Sequence, residues 1–97
     1  MLSKEKTYQL NESFLRASIR ESAAMQNWTE SSERGDSGTI VYSSVLYGLR
    51  HEYRFTLTEA DSRTGVLIET NAPGAKEEIQ KQFLLLEKTM ASEGVVI

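Results

Sequence analysis

The segment from Leu49 to Thr58, LRHEYRFTLT, alternates in side-chain character with hardly a break. Leu49, His51, Tyr53, Phe55 and Leu57 fall on one side of an extended chain, and Arg50, Glu52, Arg54, Thr56 and Thr58 on the other. Successive side chains of a strand point to opposite faces, so the pattern predicts an antiparallel strand with one face on a core. Such a strand needs neighbours in a sheet and a layer that covers its apolar face. The flanking sequence supplies both. Upstream, Thr39 to Leu46 is apolar on two sides, with Ile40, Tyr42 and Leu46 on one and Val41 and Val45 on the other. Periodicity leaves open which of these faces is buried. Tyr47-Gly48 is the expected turn into the alternating strand. Downstream, Glu59 to Gly65 reads as a polar loop and Val66 to Thr70 as a returning strand. Setting Leu57 opposite Val66 brings Phe55 to Ile68 inside and Arg54 to Glu69 outside, which satisfies both faces at once.

The remaining segments are a weaker strand, a hairpin arm and two helices. Thr7, Tyr8 and Leu10 support a short first strand over Ser3–Leu10. Asn11 is an N-cap candidate for a helix through FLRASIRESAAMQ, whose Leu15, Ile19 and Ala23 recur every four residues beside Phe14 and Met25. Asn27 is the expected stop and Trp28 the start of a new element. Thr29 to Glu33 is read as a polar edge strand, with Arg34-Gly35-Asp36-Ser37-Gly38 as the turn. After Asn71 and Ala72, Pro73 is placed at the first helical position, where its missing amide costs nothing. Ile79, Phe83, Leu86 and Met90 then form an amphipathic stripe widened by Leu84 and Leu85, and Gly94 closes the helix. The expected architecture is α+β: one domain over residues 1–97, order β-α-β-β-β-β-α, an antiparallel sheet of about five strands.

Composition narrows the function. A chain of 97 residues is one domain long, and its core is one layer thick. The absence of cysteine rules out disulfides and thiolate metal sites. A net charge of −3 argues against a nucleic-acid partner. Arg50, Arg54 and Arg63 lie near Tyr42 and Tyr47, but Glu52, Glu59 and Glu69 cancel that field. No apolar run has the length of a signal peptide or a membrane helix, so the expected setting is the cytoplasm, with no membrane partner.

The chemistry-bearing residues form no motif. His51 is the only histidine and stands on the apolar face of its strand, with no second histidine or cysteine for a metal. No serine occupies a glycine-flanked elbow. Glu12, Glu21, Glu77, Glu78 and Glu87 belong to predicted helix surfaces rather than a paired-carboxylate cleft. Gly35 and Gly38 flank a hairpin turn and not a phosphate loop. The expectation is no enzyme, no catalytic residue, no metal and no cofactor.

Two resemblances rest on particular residues. KTYQL running into a capped helix at Asn11, the meander, and the closing helix from Pro73 resemble an abbreviated helix-grip arrangement of the START-like or Bet v 1-like kind. Trp28 followed by Gly38-Thr39-Ile40-Val41, a W-x9-GTIV hairpin, is similar to small uncharacterised bacterial domains. The helix-grip resemblance implies a sheet wrapped around the last helix, enclosing an apolar ligand site. This chain departs from it in being shorter, with one N-terminal helix where two are usual. Two functions follow as expectations. The first is an interaction module that associates with a second copy of itself through Leu67 and the tail Val95, Val96 and Ile97. The second is a binder of a small apolar ligand between sheet and C-terminal helix, on Tyr53, Phe55, Ile68, Phe83 and Leu86.

Overall fold

A computed structural model of the chain describes residues 2–31 and 38–95, apart from the Leu46 side chain. The elements are β1 (Leu2–Tyr8), α1 (Glu12–Met25), β2 (Thr29–Glu30), β3 (Thr39–Leu46), β4 (Leu49–Ala60), β5 (Arg63–Thr70) and α2 (Ala75–Ser92). All five strands join one antiparallel sheet in the order β1-β5-β4-β3-β2. Phe55 opposes Ile68, Leu57 opposes Val66 and Arg54 opposes Glu69, the register that the alternation requires. On β3 the buried residues are Ile40 and Tyr42, while Val45 is exposed. That settles the face which periodicity left open.

Both helices cover the same side of the sheet. Leu15, Ile19 and Ala23 of α1 and Ile79, Phe83, Leu86 and Met90 of α2 share one cluster with the inward residues of β3, β4 and β5. Asn11 caps α1, its Oδ1 accepting the Phe14 amide at 2.8 Å. Asn27 ends α1 in a left-handed conformation, φ 59°. The Asn27 and Trp28 amides then donate to Ala24 and Ala23 carbonyls at 3.1 and 3.0 Å. Gly94 closes α2 by the same device, with the Gly94 and Val95 amides reaching Ala91 and Met90 carbonyls at 3.0 and 3.1 Å.

Several boundaries differ from the sequence reading. Residues 59–65 are not a loop. Strand pairing continues to Ala60 opposite Arg63, closed by Asp61-Ser62 with φ 53° and 64°. Backbone hydrogen bonds hold a hairpin together without apolar side chains, so polarity alone hid these strand ends. The α2 helix starts at Ala75, because Gly74 takes a left-handed conformation (φ 65°) and leaves Pro73 outside. The strand expected over Thr29–Glu33 has two residues, followed by a Ser31 amide donating to Val41 carbonyl at 2.7 Å. Ser32, Glu33 and the turn residues Arg34 to Ser37 lie outside the described residues, as do Val96 and Ile97. Met25, expected beside the apolar stripe, is 71% exposed.

Candidate functional site

The residues expected to line a ligand site converge, but they are packed shut. Tyr53, Phe55, Ile68, Phe83 and Leu86 belong to one cluster, and each is 3% exposed or less. Side chains so covered offer a ligand almost no apolar surface between the sheet and the helices. Trp28 closes the layer, its ring stacked on Tyr53 at 4.1 Å between centroids and tilted by 17°. Sequence reasoning did not assign Trp28 to the core. The available signal was its place directly after Asn27, where an apolar residue beyond a left-handed helix stop folds back onto the helix. Two amides tie the helices together above it: Gln26 Nε2 donates to Gln82 Oε1 at 3.0 Å and Gln82 Nε2 to Gln26 Oε1 at 2.9 Å. His51 is buried opposite Ser44, and its Nε2 has no hydrogen-bond partner among the described residues. Among the described residues, no cluster of histidine and carboxylates could hold a metal ion.

A first opening lies at the seam of β1 and α2. Lys4, Lys6, Gln80, Phe83 and Leu84 border a space of about 230 Å³. Glu87 anchors one side, accepting from Tyr8 Oη at 2.7 Å and Lys6 Nζ at 3.0 Å. The Lys6 ammonium also stands 5.4 Å from the Phe83 ring centroid, within cation–π range. Burial works against the Glu87 charge, but the hydrogen bonds from Tyr8 and Lys6 outweigh it and hold the carboxyl below its ordinary range. Burial, reinforced by the Glu87 carboxylate, raises the Tyr8 phenol far above its usual value.

A second, larger space lies on the outer face of the sheet, away from both helices. It measures about 570 Å³. Thr29, Ser31, Val41 and Ser43 give it small side chains, while Arg50, Glu52 and Asn71 stand along it. The Asn71 Oδ1 accepts the Glu52 amide at 2.9 Å, which fixes that wall. Glu52 pairs with Arg54 at 3.3 Å, whereas Arg50 has no acidic partner among the described residues. Beside the groove the β3–β4 hairpin runs past its neighbours. Thr70 at the end of β5 opposes Tyr53, and β2 reaches only Tyr42 and Ser43, so Ser44 to His51 form a projecting arm. Its tip is apolar: Val45 is 66%, Tyr47 94% and Leu49 64% exposed.

Of the residues expected at an interface, Leu67 is half-buried on the outer face between Thr56 and Glu5. Val95 packs against the core. The structure therefore separates these two rather than joining them in one patch.

No protein-family model matches the chain, and no curated protein does. Solved structures do. CalU16 from Micromonospora echinospora superposes with a TM-score of 0.63 at 9% identity, covering 93% of this chain and 73% of CalU16. Ara h 8.0201 superposes with a TM-score of 0.50 at 13% identity, covering 94% of this chain and 97% of that one. The fold is helix-grip-like. At these identities the likeness concerns the fold alone. Among the described residues it is carried on five strands and two helices, with Tyr53, Phe55, Ile68 and Leu86 buried in the core they share. Among the described residues, no helix is long and apolar enough to cross a membrane.

Proposed function

We propose that this helix-grip chain works as a non-enzymatic interaction module over residues 1–97, and that it associates with a second copy of itself. One observation carries the reading. Three of the most exposed large apolar residues, Val45, Tyr47 and Leu49, are gathered on one projecting hairpin rather than scattered. Isolated exposed leucines need no explanation, but a cluster on an arm with no neighbouring strand marks an interaction surface. Leu67 shares the outer face with Val45 and Arg50. Sedimentation equilibrium from micromolar to millimolar concentration tests the reading. The expected outcome is a mass rising toward two chains, and a monomer throughout would reject it.

A second reading has its own support, in the opening at the β1–α2 seam. Phe83 and Leu84 offer an apolar wall there and Lys4 a positive charge beside the Lys6–Glu87 pair, a combination suited to a small apolar molecule with an acidic head. Titration with decanoate, followed by amide chemical shifts, checks it. Saturable shifts confined to β1 and α2 would support binding, and their absence would remove the reading.

A further inference from the structure

We infer that two copies pair outer face to outer face through their β3–β4 hairpins, each Tyr47 seated in the partner's groove and each Arg50 against the partner's Glu52. The inference rests on the self-association reading and gives it a geometry. The strand register supplies the argument. Outward-facing residues of the hairpin form successive rows: Val41 with Arg54, Ser43 with Glu52, and Val45 with Arg50, ending at the Tyr47-Gly48 turn. A two-fold axis that crosses the strands at the Ser44–His51 pair reverses the strand direction of the second copy. The Val45–Arg50 row then falls on the partner's Ser43–Glu52 row. Two Arg50–Glu52 contacts form by symmetry from a single matching of rows.

The same operation carries Tyr47 one row further, over the partner's Val41. That residue borders the groove of about 570 Å³, with Thr29, Ser31 and Ser43 beside it. The phenol ring thus meets an apolar contact and a set of small polar side chains that can bond its hydroxyl. Tyrosine and arginine are also the residue types that most often anchor interfaces. Arg50 has no acidic partner among the described residues. The open edge of β1 is a poor alternative. A two-fold centred on Glu5 would oppose Glu5 to itself and Lys4 to Lys6, and like charges across strands repel.

Four chains decide the matter by sedimentation equilibrium, with circular dichroism confirming that each is folded: the wild type, Tyr47→Ser, Arg50→Glu, and Arg50→Glu combined with Glu52→Arg. The expected result is a wild-type dimer that weakens about tenfold or more with either single substitution. The double substitution exchanges the two charges and should recover most of the association, a result that a merely structural role of Arg50 would not produce. Added salt should weaken the wild-type dimer as well. A wild-type dimer indifferent to all three variants, or a double variant no stronger than Arg50→Glu, would overturn this geometry and leave self-association standing. A wild type monomeric throughout would overturn both.

Discussion

Phe83 is the side chain on which the helix layer most depends. It sits on α2 near the middle of the amphipathic stripe, fully buried in the common cluster, with the Lys6 ammonium over its ring. Truncation to alanine should cost about 3–5 kcal/mol in urea unfolding, and a loss below about 1 kcal/mol would contradict the packing. Glu87 predicts the acid limb of stability. Its carboxyl is held below the ordinary value of 4.5, so its contribution is complete above that pH and is lost as pH falls through the lower folded value. Glu87→Gln should therefore flatten the decline of stability at acid pH. The alkaline limb has the opposite sign. Burial pushes the Tyr42 phenol up to about 12 from 10.0, with the nearby Glu30 carboxylate adding to it. The folded state keeps that proton where the unfolded chain has lost it. Stability should fall as pH rises above 10.0, and Tyr42→Phe should reduce the fall.

At the scale of elements, the chain depends on a few positive-φ positions, and they are not equivalent. Gly94 has φ +88°, and a methyl group there would meet nothing within 4 Å. Gly94→Ala should cost about 1–2 kcal/mol, the backbone penalty alone. Gly38 has φ +97°, and its added Cβ would stand 2.9 Å from the Leu57 carbonyl oxygen. That carbonyl belongs to β4, which cannot retreat without loosening the sheet. Gly38→Ala should lower the urea midpoint more than Gly94→Ala does. The two α-helix stops were legible because Asn27 and Gly94 are residue types that tolerate a left-handed conformation. The Asp61-Ser62 turn was less so, since the charged and small residues from Glu59 to Gly65 suit a loop as well as a paired strand end. The start of α2 was misread for a related reason. Proline fits a first helical position, but so does the extended backbone before a left-handed Gly74.

For the whole molecule, the layering predicts a gradient of local stability. The amides of β4 from Tyr53 to Leu57 are bonded on both sides and lie beneath the helices, so they should exchange slowest with solvent. Those of the arm from Ser44 to His51 should exchange far sooner, unless a second copy covers them. Hydrogen exchange at low and high protein concentration reads both the gradient and the cover. The chain order, the register of β4 with β5, the cap at Asn11 and the apolar stripe of α2 were determined by the sequence itself. Periods of two and of about four residues are local properties, and a register that satisfies two faces leaves few alternatives. Only the tertiary structure decided which face of β3 is buried, that Trp28 stacks on Tyr53, and that β1 returns to the free edge of β5. It alone decided that the aromatic inner face is filled and that Val45, Tyr47 and Leu49 gather beyond the sheet. Those outcomes depend on how residues far apart in the chain occupy one shared volume, a condition that no local pattern records.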